Sequence, residues 1–215
     1  MRLLDLFCGA GGAAVGYNRA GFDVVGVDIA PQPDYPFEFH QADALAYLLW
    51  TDEKFDAIHA SPPCQRYSGM LKCRPGEADD HPNFVATTRS LLVDSGLPYV
   101  IENVQGSPLL DPVMLCGHMF GLELYRHRLF ESNFRVAQPD HPLHIKPASP
   151  AGHWKPGTII SVSGHAAPIA VACEAMGIDW IKTGRVGRKS LSQAIPPAYT
   201  EYIGQWLAME VERAA

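Results

Sequence analysis

The chain contains no run of about 18 apolar residues, the length that a membrane-spanning helix requires. Near its N-terminus the apolar stretch is broken by Asp5 before it reaches the length of a signal-peptide core, so export is not expected either. Cysteine is scarce: the five present are an odd number without paired spacing, which argues against a disulfide framework and fits a reducing compartment, the cytoplasm. Cys73 and His81 share a polar stretch, but their spacing matches no usual zinc pattern, and no metal is expected. Internal repeats and low-complexity tracts are also missing. The 215 residues therefore suit one α/β core with a small appendage.

Excess positive charge is lacking overall. The formal net charge of −6, taken whole, argues against a polyanionic partner. Residues 122–190 depart from that balance, with nine Lys and Arg against five Asp and Glu, which leaves the rest of the chain at −10. Such asymmetry suits a nucleic-acid face on an acidic body, and equally suits ordinary surface bases.

What is present from the start is an alternation of apolar runs and turn residues. Residues 3–7 read as a strand, 8–12 as a Gly-rich turn, 13–20 as a helix and 22–27 as a second strand ending at Asp28. A Pro-rich connection follows, then a helix over 42–50 with Asp43 near the positive end of its dipole. Residues 55–60 and 99–104 supply two more strands, separated by a polar loop over 66–81 and a helix over 83–94. This order predicts an α/β fold with a parallel, doubly wound sheet. Beyond Phe130 the periodicity fails: residues 137–157 hold five prolines together with His141, His144 and His153, and read as an irregular insert before a strand at 158–162. Helices return over 170–176 and 198–211, the latter announced by Pro196-Pro197.

Two reactive groups stand at strand ends. The run 55–60 leads into Ser61-Pro62-Pro63-Cys64-Gln65, and the run 99–101 into Glu102-Asn103-Val104. Adjacent parallel strands would bring Cys64 and Glu102 to the edge where open α/β sheets bind ligands. Two prolines stiffen the backbone before Cys64, and Arg66 nearby favours its thiolate, whereas Cys8, Cys116 and Cys173 read as buried, inert thiols. A glutamate at a buried strand end is desolvated, which raises its pKa and lets it carry a proton at neutral pH; capping a turn or pairing with an arginine is the plainer alternative. Gly9, Gly11 and Gly12 would let a ligand approach the backbone at a helix start. With Ala14 and Asp28 they also satisfy a dinucleotide fingerprint, and Asp43, placed to reach an adenine amino group, favours a different adenosyl ligand.

These segments together resemble the DNA (cytosine-5)-methyltransferases. Asp5-Leu6-Phe7-Cys8-Gly9-Ala10-Gly11-Gly12 is similar to the first family motif, Pro62-Pro63-Cys64-Gln65 to the catalytic motif, and Glu102-Asn103-Val104 to the motif with the second catalytic residue. Arg126-His127-Arg128 is similar to the arginine pair that follows, and Ser192-Gln193-Ala194-Ile195-Pro196-Pro197 to the last motif. The five occur in family order and cover nearly all of the chain except the insert.

The resemblance implies a Rossmann-like S-adenosylmethionine-dependent fold with a mostly parallel sheet. It divides the chain into a catalytic core over 1–134, a reduced target-recognition insert over 135–182 and a C-terminal return to the core over 183–215. It further implies double-stranded DNA as partner and a flipped-out cytosine as the reacting base. Cys64 would add to carbon 6, Glu102 would act at ring nitrogen 3, Arg128 would hold the base carbonyl, and Arg126 would hold a phosphate or the catalytic loop. The cofactor would lie against Phe7, Gly9, Gly11, Asp28, Ile29, Asp43, Pro62 and Gln193, and DNA against Gln65, Arg66, Ser68, Arg126, Lys182 and Arg185. The compact plan suggests a bacterial or bacteriophage enzyme of a modification system.

The chain departs from the family pattern at four places. Leu124 stands where a glutamine is usual, Ser192-Gln193 where Gly-Asn is usual, and Asp28 where a glutamate is common. The insert is short, so specificity would come from it, from residues 65–81, or from a partner or second copy. An RNA cytosine-5 methyltransferase, a DNA enzyme using a modified sulfonium donor, and a non-catalytic adenosyl- or DNA-binding module are the rival readings. An NAD oxidoreductase would leave Cys64, Glu102 and Arg128 without roles.

Overall fold

Leu3, Leu4 and Leu6 are all fully buried in β1 (Arg2–Leu6), the pattern of a central strand covered on both faces. A computed structural model of the chain describes residues 1–63, 84–149, 153–162, 167–181 and 185–214, with the side chains of residues 185 and 186 outside that description. Parallel to β1 run β2 (Asp23–Asp28) on one side and β4 (Ala57–Ala60) on the other; β3 (Glu38–Gln41) and β5 (Tyr99–Asn103) extend the parallel run. Two further strands, β6 (Val113–Leu115) and β7 (Arg128–Ser132), complete a seven-stranded sheet of order β3-β2-β1-β4-β5-β7-β6, with β7 antiparallel to both neighbours. Strand order reverses between β1 and β4, which puts a ligand crevice beyond their carboxyl ends.

Helices cover both faces. On one, Leu3, Val24, Ala57 and Val100 pack against α1 (Gly12–Arg19) and α6 (Pro197–Ala214). On the other, Leu4, Leu6, Ile58 and Ile101 pack against α2 (Ala44–Trp50) and α3 (Phe84–Ser95). The α1–α6 contact is nearly backbone to backbone: a Cβ on Gly16 would lie 2.1 Å from Thr200 Oγ1, and Thr200 Oγ1 donates to the Ala13 carbonyl at 2.9 Å. Charge fastens α3 to β7, where Arg89 makes a two-pronged pair with Glu131 at 2.6 Å for both Nε and Nη2.

A smaller apolar cluster joins α4 (Ile169–Met176) and α5 (Arg185–Gln193) to Leu124, Ile160 and Ala10. Trp180 Nε1 donates to the Ala10 carbonyl at 2.8 Å, so this cluster touches the Gly-rich turn directly. Among the described residues no helix is long and apolar enough to cross a membrane.

The doubly wound sheet is the one expected, and four of the five strands and all five helices anticipated over described residues appear within about three residues of their expected bounds. The differences lie elsewhere. The strand expected at 158–162 is reduced to isolated bridges, Ile159 to Ala148 and Ile160 to Leu124. The unforeseen β3 reads Glu-Phe-His-Gln at the sheet edge and has no apolar run to announce it. Likewise β6 is three residues long, and α5 is polar with Gly187 inside it. The antiparallel β7 makes the sheet mostly rather than wholly parallel, because only a single-turn 3-10 helix, Gly117–Phe120, separates it from β6, too short for a crossover.

Candidate active site

Beyond β1 the backbone turns through left-handed conformations at Phe7 (φ 57°), Gly9 (φ 51°) and Gly11 (φ 82°). The three glycines of this turn do different things. A Cβ on Gly12 would sit 2.3 Å from the Ile195 carbonyl, so Gly12 admits the C-terminal segment rather than a ligand. On Gly11 it would sit 2.7 Å from Pro36 Cδ, so the space expected for cofactor is filled there by the β2–β3 connection. Only Gly9 opens on space with nothing within 4 Å. The Gly9 N–H donates to Asp28 Oδ2 at 3.0 Å and the Ala30 N–H to Oδ1 at 2.9 Å, which locks the carboxylate at the lip of the turn.

Beside it Ile29 is 71% exposed, an apolar side chain left uncovered at a strand end. Asp43 caps α2, accepting the Ala46 N–H at 2.9 Å through Oδ1. Asp5 lies beneath the turn, fully buried; desolvation pushes its carboxyl up to about 8 against a weak lowering by the Tyr35 hydroxyl, 3.4 Å away. Cys8 is buried as expected, and burial pushes its thiol up, out of the reactive range.

Two strands away, β5 delivers Glu102, 7% exposed. Burial raises its pKa, while Arg128, a hydrogen bond from Ser61 and the more distant Arg126 oppose the rise. Arg128 Nε stands 3.0 Å from Glu102 Oε1, close enough for an ion pair but without hydrogen-bond alignment, so among the described residues the buried Oε1 has no hydrogen bond. Asn103 Nδ2 donates to the Pro62 carbonyl at 2.9 Å, which ties the Glu102 strand to the Pro62-Pro63 step that precedes Cys64. Pro62 is itself buried. A cavity of about 320 Å³ opens beside Arg128, walled by Tyr125, Arg126, Ile160, Val162 and Ser192.

A polar chain behind Glu102 was not foreseen. Tyr17 Oη lies 3.0 Å from His59 Nδ1, and His59 Nε2 lies 2.9 Å from Ser61 Oγ. Burial holds His59 neutral, with its pKa pushed down to about 3. A neutral ring donates from one nitrogen only, and Ser61 donates to Glu102. The consistent assignment is Tyr17 O–H to Nδ1, Nε2–H to Ser61, and Ser61 O–H to the carboxyl. A histidine and a tyrosine inside apolar runs were the available signal, but only the packing of α1 on the sheet aligns them.

Arg126, expected on a phosphate or the catalytic loop, is turned inward with a left-handed backbone (φ 33°). Its guanidinium donates to the carbonyls of Ala194, Ser192 and Val162 at 2.6–3.1 Å, clamping the C-terminal segment to the start of β7. Gln193, expected near the cofactor, is the exposed last residue of α5. Cys64, Gln65, Arg66, Ser68 and Lys182 lie outside the described residues, as do Cys73, His81 and the side chain of Arg185.

No protein-family model matches the sequence. M1.HphI of Haemophilus parahaemolyticus, a type II methyltransferase, is 32% identical over 117 residues, covering 47% of this chain and 32% of the relative. M.AplI of Arthrospira platensis, also a type II methyltransferase, is 24% identical over 218 residues, covering 96% of this chain and 59% of the relative. The chain thus spans less than two thirds of the length of these relatives. Among solved structures, a candidate DNA modification methyltransferase encoded within an Escherichia coli prophage superposes with a TM-score of 0.70 at 15% identity, over 99% of both chains. The Entamoeba histolytica methyltransferase EhMeth does so with a TM-score of 0.65 at 11% identity, over 98% of both chains. The chain has a Rossmann-like methyltransferase fold. Spodoptera frugiperda DNMT2 shares it, with a TM-score of 0.64 at 12% identity over 97% of this chain and 99% of the other. At such identities the methyltransferase likeness concerns the fold, and residue roles rest on the geometry above.

Proposed function

We propose that the protein is an S-adenosylmethionine-dependent DNA methyltransferase acting on carbon 5 of a cytosine flipped out of a duplex. The observation that carries this reading is the setting of Glu102: a buried carboxyl of raised pKa, with Oε1 unbonded among the described residues and Arg128 3.0 Å away, joined through Asn103 to the peptide two residues before Cys64. The type II methyltransferase names of the sequence relatives support the substrate class.

The glycine turn fits an adenosyl ligand. Gly9 opens on space, Asp28 presents both oxygens at its lip with one N–H bond on each, and Ile29 offers an uncovered apolar side chain. The sulfonium of S-adenosylmethionine supplies an electrophilic methyl group. The protein must make carbon 5 nucleophilic, and for that the Cys64 thiolate adds to carbon 6 while Glu102 holds a proton at ring nitrogen 3. Arg128 holds the carbonyl oxygen of the base. After transfer, carbon 5 loses its proton and the electron pair expels Cys64, restoring the ring. The basic segment over 122–190 meets the duplex, and Gln65, Arg66, Ser68, Lys182 and Arg185 are the proposed DNA contacts. Extruding the base costs a few kcal/mol, met by contacts in the cavity beside Arg128.

Incubation with labelled S-adenosylmethionine and either DNA or RNA tests the activity, with acid-stable label expected on cytosine carbon 5 of DNA. A duplex carrying 5-fluorocytosine is expected to trap a denaturant-stable protein adduct, since fluorine cannot leave as the proton does, and Cys64→Ser is expected to abolish it. Label on RNA alone, or label on DNA without a Cys64-dependent adduct, would overturn the proposal.

A further inference from the structure

Away from Glu102, four side chains from three separate stretches converge. Cys116 follows β6, His127 precedes β7, and His141 and His144 lie on the irregular segment. Each offers one ligand atom, and the four atoms lie within 4.8 Å of one another. Cys116 Sγ is 3.4 Å from His144 Nε2, and His127 Nε2 is 3.1 Å from His141 Nε2.

The Sγ···Nε2 and Nε2···Nε2 distances match two edges of a metal tetrahedron. Zn–N bonds of about 2.0–2.1 Å and Zn–S bonds of about 2.3 Å give N···N edges of about 3.3 Å and S···N edges of about 3.6 Å. Two separate hydrogen bonds would explain each pair alone, but not the gathering of both pairs within 4.8 Å of one another. The donors are also aimed. His144 stacks on Tyr125 with centroids 3.5 Å apart and planes 11° from parallel, and the Tyr125 hydroxyl is fixed in turn by donating to the Lys146 carbonyl.

We propose that Cys116, His127, His141 and His144 form a four-coordinate zinc site that fastens residues 137–149 to the end of β6 and the start of β7. One thiolate with three imidazoles suits zinc, whereas calcium and magnesium take oxygen ligands. Four protein donors close the coordination sphere, so the site is structural and leaves no position for substrate. Binding displaces the Cys116 thiol proton to solvent.

The segment needs such a fastening. Leu143 is 82% and Ile145 87% exposed, so apolar burial does not hold it. The site would also steady the cavity wall, since Arg128 follows His127 directly and donates from Nη1 to its carbonyl at 2.9 Å. Cys116 thereby departs from the inert thiol expected of it, and the chain from the expectation of no metal. The proposal stands apart from the methyltransferase reading, and its test measures no methylation.

The whole chain, purified without chelator and dialysed, is expected to hold one zinc. Loaded with cobalt(II) instead, it is expected to show the intense visible bands of a tetrahedral site and a thiolate charge-transfer band. Cys116→Ser should lose the charge-transfer band, and His141→Ala, a surface change, should lose the metal while keeping the circular dichroism of the fold. His153→Ala, a histidine nearby in sequence but outside the four, should retain full zinc. Dialysed wild-type protein without stoichiometric zinc, an octahedral cobalt spectrum, or a charge-transfer band that survives Cys116→Ser would overturn the site.

Discussion

The sheet that carries Glu102 and the segment that leans against it are held by different forces. In the sheet, fully buried Leu3, Leu4, Leu6, Ile58 and Ile101 remove apolar surface from water, and Tyr17, His59 and Ser61 are bonded to one another inside it. Residues 137–149 bury almost no apolar side chain; they are attached by donor atoms, such as Gln138 to Met114, Tyr202 to the Ala137 carbonyl, and the Cys116 cluster. A surface segment can vary its exposed side chains if its anchorage is chemical rather than hydrophobic. A region that positions a proton cannot, because its geometry depends on close packing.

The sharpest way to break the core side is Glu102→Gln, which keeps the shape and removes the titrating proton. Methyl transfer is expected to fall by about 10²–10⁴, the usual contribution of a positioned acid or base, as measured by single-turnover label transfer. Next comes Arg89→Leu, which strands Glu131 without its buried partner and should cost about 3–5 kcal/mol in urea denaturation.

Asp5 gives an effect that depends on pH. Its carboxyl ionises near 3.9 in an unfolded chain and near 8 in the fold, so the folded protein holds an extra proton between those values. Stability from this group is full below pH 4 and is lost as pH rises to 8, by about 1.4 kcal/mol per unit at most. Asp5→Asn should flatten that slope, so its melting temperature gains on the wild type between pH 5 and pH 9.

Ser61→Ala removes a bond that lowers the Glu102 pKa, and the alkaline limb of the pH–rate profile should move upward. On the other side of the comparison, Leu143→Ser should change stability by less than about 0.5 kcal/mol, since the side chain is already in water. A loss comparable with Arg89→Leu would show that the segment has apolar support after all.

Much of the half proposed as catalytic was legible in order. The runs before Asp28, Ser61 and Glu102 announce strands, and parallel strands place their ends at one edge, where all three occur. The glycine turn was legible as a turn, yet the distinct duties of Gly9, Gly11 and Gly12 were not, because Tyr35, Pro36 and Ile195 reach them from distant positions. Arg126 was legible as a functional cation, while its inward clamp on Ser192 and Ala194 depends on a return of 66 and 68 residues.

By itself the sequence determined what neighbours along the chain can decide: which runs are buried on both faces, where a left-handed turn interrupts them, and which polar residue each strand ends on. Only the tertiary structure decided which of those residues meet. Tyr17 reaches His59 through the packing of α1 on the sheet, and Cys116 meets His144 through the pairing of β6 with β7 and the fold of an unpatterned segment. Periodicity encodes the face a residue turns toward the core, because burial is set by local geometry. The partner waiting on that face is set by closure of the whole sheet.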